Sequence, residues 1–316
     1  QAGAQVITNP DEVWERADVV LKIQQPIERE ALGRHEADLL NKGAVLVCLL
    51  APQQEPGLVR KLLERRVTSF ALELLPRISR AQQMDALSSQ GTVAGYLSVI
   101  LAAEALPKFF PLLMTAAGTI PPAQVLVLGA GVAGLQAIAT ARRLGARVEA
   151  FDVRPTVKEQ VESLGARFVG LTLEEARGAG GYATELSETA HRREQELIQE
   201  RLREADVVIT SALIPGKRAP ILMTAEMTKQ MKPGSVIVDL AAEQGGNCAL
   251  TTPGQTVSCD RVRILGPLNL PSALPLHASQ LYARNVSQFF GALVKDGALH
   301  LDFNDEAKAL DDAIGK

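Results

Sequence analysis

Short apolar runs alternate with longer amphipathic stretches along most of the chain. Val19–Ile23 reads as a strand ending before Pro26, Ala44–Leu50 as a buried strand, Leu58–Arg66 as a helix and Val67–Leu72 as the next strand. A long helix is expected from about Gln83 to Leu106, and Pro121-Pro122 punctuates the chain after it. The alternation then sharpens. Val125–Leu128, Arg147–Asp152 and Arg167–Val169 read as strands, with helices over Val132–Leu144 and Val157–Leu164. The glycine-rich stretch Gly178–Tyr182 leads into a charged helix, Glu185–Glu204; strands follow at Val207–Thr210, Val236–Leu240 and Val262–Leu265, and a returning helix at Ala278–Val294. Strands alternating with helices predict parallel βαβ units. The expected fold class is α/β: two Rossmann-like domains with parallel sheets flanked by helices, joined by long helices, with a cleft between them. The first domain is expected over 1–95 plus 280–316 and the second over 96–279.

Composition agrees with two cores, since 316 residues of which 47% are hydrophobic exceed what one core needs. The formal charge of −3, the lack of a Lys/Arg run and an aromatic content of 4% argue against a nucleic-acid partner. Cys48, Cys248 and Cys259 form no CxxC pair, and His35, His191, His277 and His300 are scattered, so neither a disulfide framework nor a metal site is expected. The most apolar stretch, Tyr96–Met114, is interrupted by Glu104, Pro107, Lys108 and Pro111, so no direct membrane insertion is expected. Gln1–Pro10 has neither the basic start nor the apolar core of a signal peptide, and its first residue suggests a chain that continues upstream.

The strongest chemical signal is Val125-Leu-Val-Leu-Gly129-Ala-Gly131-Val-Ala-Gly134-Leu-Gln. An apolar strand precedes the glycines and an apolar helix follows. Gly129 would permit the tight turn, Gly131 the approach of a pyrophosphate, and Gly134 close packing of helix on sheet. The helix N-terminus would face the phosphates with unpaired N–H groups. The next strand ends in Asp152, about 20 residues on, where a carboxylate can accept the hydroxyls of an adenosine ribose and repel a 2′-phosphate. This favours NAD over NADP. Arg154 reads either as a phosphate partner or as a solvated arginine.

Other polar loops follow expected strands. Arg77-Ile-Ser-Arg-Ala-Gln-Gln-Met-Asp85 offers a cation, an amide and a carboxylate; equally, Asp85 or Ser79 could cap the following helix. Glu243 and Asn247 lie in a loop after Val236–Leu240 that reads as a site or an ordinary turn. Thr210–Lys217 would lie over the nicotinamide half of a dinucleotide. Gly178–Tyr182 reads as a mobile lid or a solvent loop, and Lys22 as a substrate-binding cation or a surface lysine.

These residues resemble the NAD(H)-binding component (domain I, in the alpha subunit) of the proton-translocating nicotinamide nucleotide transhydrogenases. The likeness spans nearly the whole chain. It is most specific at Pro76-Arg-Ile-Ser-Arg-Ala-Gln, Leu87-Ser-Ser-Gln, Thr115-Ala-Ala-Gly-Thr, the glycine turn, Lys158-Glu-Gln-Val-Glu-Ser-Leu-Gly, Ala212-Leu-Ile-Pro-Gly-Lys and Gly245-Gly-Asn-Cys.

The resemblance implies that Arg77, Ile78 and Ser79, with Gln82, Gln83, Met84 and Asp85, contact the nicotinamide end of NAD(H). Gln82 would reach toward the second nucleotide, and Ser88 would face the same pocket. Ala130, Gly131 and Val132 would hold the pyrophosphate, and Asp152, Val153 and Arg154 the adenosine ribose. Gly181 and Leu213 would line the site, and Tyr182 would close over it. The chemically active set would be Gln82, Arg77, Asp85, Ser88 and Tyr182.

The implied activity is that of an NAD(P)+ transhydrogenase of the Si-specific, proton-translocating type, active only with its partner components. One of these carries NADP(H) and another, in the membrane, moves the proton. A homodimer at the cytoplasmic side of the inner membrane is implied as well.

Alanine dehydrogenase is the related alternative, and a non-catalytic NAD(H)-binding module is a second one. Alanine dehydrogenase uses a lysine and a histidine on its first domain. Lys22 matches the lysine, but the histidine position falls on Leu49, which has no proton to give or take. Two departures from the family are visible. Its usual N-terminal strand and basic segment do not precede Gln1, and the chain ends soon after Leu301-Asp-Phe. The first domain is therefore expected to be incomplete here.

Overall fold

The computed structural model describes residues 3–30, 33–76, 78–170, 188–214 and 216–301. They form two compact units. One runs to Gln90 and resumes at Leu276, and the other is Gly91–Pro275. The chain leaves the first unit within the helix Ala86–Ala105 and re-enters it at the start of the helix Pro275–Leu293.

The first unit holds a three-stranded parallel sheet, β1 (Val19–Gln24), β2 (Val45–Leu49) and β3 (Thr68–Ala71), in that order. The run Val45-Leu-Val-Cys48 is buried on both faces, as a central parallel strand requires. Its alternating side chains feed two cores. Leu46 and Cys48 pack with Trp14, Leu58 and Leu62. Val45 and Val47 pack with Phe70, Tyr282, Val286 and Phe289, the last three on the helix Pro275–Leu293, which covers the sheet. The rings of Phe70 and Phe289 meet edge to face at 5.3 Å. The returning helix expected from the sequence thus packs on the first unit.

The second unit is a seven-stranded sheet. Its strands are β4 (Gln124–Leu128), β5 (Arg147–Phe151), β6 (Arg167–Val169), β7 (Val207–Thr210), β8 (Val236–Asp239), β9 (Thr256–Cys259) and β10 (Val262–Leu265), in spatial order β6-β5-β4-β7-β8-β10-β9. All pairs are parallel except β9 with β10. The order reverses at β4 and β7, the switch point beside which doubly wound folds bind nucleotides.

Several expectations need correction. β9 is additional to the expected strands, and its turn uses Asp260 and Arg261, both left-handed with φ 48° and 67°. Asn-Gly or Asp-Gly is the usual signature of such a turn, and Asp-Arg does not announce it. The hairpin Leu113–Thr115/Gly118–Ile120 and the short helix Ala225–Lys229 are likewise additional to the expected elements. The long helix begins at Ala86, since Ser79–Met84 is a 3-10 turn.

The membrane expectation also shifts. Among the described residues, Ala86–Ala105 is long and apolar enough to span a bilayer by length and composition. In this fold Val99 and Ala102 of that helix join the second unit's core. Gly91 and Gly95 lie against the helix Val132–Arg143: a Cβ on Gly95 would meet the Ala133 carbonyl oxygen at 2.1 Å.

Candidate functional site

The glycine turn links β4 to the helix Val132–Arg143, and its three glycines differ in what surrounds them. Gly129 has φ 98°, and a Cβ there would crowd Ser211 Oγ at 3.0 Å and Ala212 N at 3.1 Å. Gly134 is the tightest: its Cβ would sit 1.8 Å from the Gly129 carbonyl oxygen. Gly131 has an ordinary φ of −76°, and nothing lies within 4 Å of a Cβ built on it. The first and third glycines are therefore required by the protein's own packing. The second borders open space at the helix N-terminus, where backbone N–H groups have no intrahelical partner. That is a cradle for a phosphate, and the residues present fit a dinucleotide.

Asp152 lies just beyond β5 and is buried. Its Oδ2 accepts from Ala130 N at 2.7 Å and from Arg154 Nη2 at 2.9 Å, and its Oδ1 accepts from Arg154 N and Nε, both at 2.9 Å. Arg154 is thus neither a solvated arginine nor a free phosphate partner. It is the carboxylate's clamp, and the hydrogen bond to Asp152 pushes its pKa further up. A ribose that used Asp152 would have to share it with this guanidinium. Val153 packs against the second core, and Leu213 is exposed.

In the first unit, the 3-10 turn Ser79–Met84 leaves Ile78, Ser79, Gln82 and Gln83 exposed. It is anchored around them. Met84 is buried with Phe70, Tyr282 and Phe289, so its side chain serves the core and only its backbone remains for a ligand. Asn285 Nδ2 donates to the Gln83 carbonyl at 2.8 Å. Asp85 caps the helix: Oδ1 accepts from Ser88 N at 2.8 Å, and Oδ2 accepts from Ser88 Oγ at 2.6 Å. The capping reading of Asp85 therefore holds, while Ser79 makes no cap. Arg77, Gly181 and Tyr182, with the whole Gly178–Tyr182 stretch, lie outside the described residues.

The edge of the first sheet nearest Lys22 and Leu49 is satisfied internally. Lys22 Nζ lies 3.3 Å from Glu36 Oε2 and donates to the Gln25 carbonyl at 3.1 Å. Leu49 ends β2 and packs against the core. Beyond it, the backbone N–H groups of Leu50 and Ala51 both donate to the Glu73 carboxylate. The Tyr282 hydroxyl donates to the Lys22 carbonyl at 2.5 Å, and burial pushes its pKa up. Burial also pushes the Cys48 thiol up to about 12 and raises that of Cys248. Cys259 is a third free thiol, and the described residues contain no cluster fit to hold a metal.

Glu243 and Asn247 have structural partners. Glu243 Oε1 accepts from Asn269 N at 2.5 Å, and Asn247 is fully buried. The site and the turn readings of this loop were both open in the sequence; these partners favour the turn.

Comparison with known proteins decides the family. The sequence matches the family description "Alanine dehydrogenase/PNT, N-terminal domain" over residues 1–94 and "Alanine dehydrogenase/PNT, C-terminal domain" over 98–314. The chain belongs to the alanine dehydrogenase/PNT family. Within it, the chain is 50% identical over 291 residues to an NAD(P) transhydrogenase subunit alpha polypeptide of Rhodospirillum rubrum, covering 91% of this chain and 76% of that one. A crystal structure of transhydrogenase from Sinorhizobium meliloti superposes with a TM-score of 0.83 at 44% identity, over 94% of this chain and 80% of that one. "Alanine dehydrogenase 2" of Staphylococcus aureus is more distant, at 32% identity over 249 residues, covering 78% of this chain and 59% of that one. This family member is therefore of the transhydrogenase alpha-subunit kind, with alanine dehydrogenase a more distant relative.

Sequence reasoning missed the positions that support the site from behind. Gly91 and Gly95 were legible as a small-residue pair one helical turn apart. Asp239 carried no local signal.

Proposed function

We propose that this chain is the NAD(H)-binding component of a Si-specific, proton-translocating NAD(P)+ transhydrogenase. It would hold the hydride donor for NADP+ carried by a partner component. One observation carries the reading: the glycine turn is open at Gly131, while at the Lys22–Leu49 edge of the first sheet the lysine is ion-paired and position 49 is leucine. A nucleotide can be bound, yet the acid–base pair needed to oxidise an amino acid is incomplete.

The bound nicotinamide nucleotide supplies a transferable hydride, so the chain need supply no proton donor or acceptor. Its own residues bind and orient. Gly131 and Val132 would offer backbone N–H groups to the pyrophosphate beside Ala130, whose own N–H is taken by Asp152, with Gly129 and Gly134 keeping the turn tight. Asp152, flanked by Val153, would accept the ribose hydroxyls while Arg154 shares the carboxylate. Gln82 would orient the nicotinamide end, together with Arg77, Ile78, Ser79, Gln83, the Met84 backbone, Asp85 and Ser88. Leu213 and Gly181 would line the site, and Tyr182 would exclude water. Orientation of this kind is a large share of catalysis when the reacting groups need no activation.

The partners in this reading are a second copy of the chain, an NADP(H)-binding component and a membrane component that moves the proton, at the cytoplasmic face of the inner membrane. The test is NADH-dependent reduction of an NADP analogue, measured with and without the NADP(H)-binding component. Strong stimulation is expected. No stimulation at any ratio of the two would overturn the reading. L-alanine with NAD and the chain alone should give no reduction, and a positive result would restore the dehydrogenase alternative.

A further inference from the structure

We infer that Asn247 is a positioning residue for the nucleotide site, acting through the segment Ser211–Leu213; this rests on the NAD(H) reading above. The segment begins where β7 ends at Thr210. Asn247 is wholly buried, and one side chain holds both backbone groups of Ala212: Oδ1 accepts from Ala212 N at 3.0 Å, and Nδ2 donates to Ala212 O at 2.8 Å. The same Nδ2 donates to the Pro220 carbonyl at 2.8 Å.

On its other side the segment walls the glycine turn. Ser211 Oγ donates to the Gly129 carbonyl at 3.0 Å, and Ser211 N donates to Leu128 O at 2.8 Å. Ser211 Oγ is also within 3.1 Å of where a Gly134 Cβ would stand. Leu213, one residue beyond the clamp, is exposed and has apolar surface left for a ligand.

Asn247 is itself fixed by a fully buried carboxylate with five donors. Asp239 Oδ2 accepts from Asn247 N at 2.8 Å, Cys248 N at 3.1 Å and Thr251 Oγ1 at 2.6 Å. Its Oδ1 accepts from Thr210 Oγ1 at 2.8 Å and Ala241 N at 3.0 Å. Gly246, with φ 82°, lets the loop wrap this closely, since a Cβ there would lie 2.8 Å from Asp239 Oδ2. The chain of contacts Asp239, Asn247, Ala212, Ser211 and Gly129 runs from the interior of the sheet to the turn. Breaking it at Asn247 leaves the two Ala212 backbone groups without their partner, and the wall of the turn is released. Asp152 meets the turn one residue further on, at Ala130 N, from β5's side.

The experiment compares NADH and 5′-AMP binding, by fluorescence titration and competition, in the whole chain and in Asn247→Ala. AMP carries the adenosine ribose and one phosphate, and NADH adds the second phosphate and the nicotinamide half, over which the Thr210–Lys217 stretch is expected to lie. NADH should bind about tenfold more weakly to Asn247→Ala, with AMP affinity held within about twofold. Asn247→Asp keeps an acceptor for Ala212 N and loses the donor, so it should not restore NADH binding. Ser211→Ala removes a single hydroxyl from Gly129. It should weaken NADH selectively by about threefold, which covers the case of an Asn247 variant that does not fold. Unchanged NADH binding in the folded variants, or equal loss of NADH and AMP, would overturn the inference. A wild-type chain that binds no NADH would overturn both it and the functional reading.

Discussion

Two sheet edges in this molecule look alike on paper and differ in what they leave unsatisfied. Each belongs to a parallel sheet, and each has a loop immediately after a buried central strand. After β4, the turn at Gly129–Gly134 leaves Gly131 facing open space beside an unpaired helix N-terminus. After β2, the turn at Leu50–Ala51 is filled by Glu73, whose carboxylate takes both N–H groups, and Lys22 is held by Glu36. The first turn can accept an anion from outside, whereas the second has accepted one from within the chain. A backbone turn becomes a binding site only when the fold does not satisfy it.

Substitutions at the glycines should break this contrast most strongly. Gly134→Ala puts a methyl against the Gly129 carbonyl and should destabilise the second unit by about 3 kcal/mol or more, seen as a lowered unfolding midpoint. Gly131→Ala meets nothing in the protein. It should fold within about 1 kcal/mol of wild type yet bind NADH about tenfold more weakly. Equal effects at the two positions would dissolve the distinction between a packing glycine and a binding one.

The closed edge should answer in the opposite sense. Glu73→Ala strips Leu50 and Ala51 of their acceptor and should cost about 2 kcal/mol of stability, with NADH affinity unchanged. A change in NADH binding would count against the view that this edge is sealed.

Titration sharpens the same point. The Cys48 thiol, raised from 9.0 to about 12 by burial first and by Glu73 second, stays protonated in the folded chain when the unfolded chain has lost its proton. Between those values the unfolded state binds fewer protons, so stability falls as pH rises from about 9 to about 12. The slope approaches ~1.4 kcal/mol per pH unit for this one group. Tyr282, also raised, adds a loss of the same sign at higher pH. Urea melts across this range should flatten in Cys48→Ala.

The smallest effect is expected at Arg154. Removing its guanidinium leaves Asp152 with backbone bonds from Ala130 and position 154 and a less compensated charge facing the ribose site. Arg154→Ala should increase the preference for NADH over NADPH roughly threefold to tenfold in competition binding. A shift toward NADPH would mean that the clamp has another role.

The sequence by itself determined the parts whose cause is local. β4, the glycine turn and the following helix are one continuous stretch, and Asp152 follows directly on the very next strand. The alternation of strand and helix carried the two parallel sheets for the same reason. What the tertiary structure decided were the partners supplied from elsewhere along the chain. Glu73 closes the turn at Leu50, Asn247 grips Ala212 and Asn285 holds Gln83. A lone carboxylate or amide reads the same in sequence whether it awaits a ligand or already holds the backbone. The folded chain separates the two, because a buried polar group must find its hydrogen bonds somewhere, and only the fold shows where.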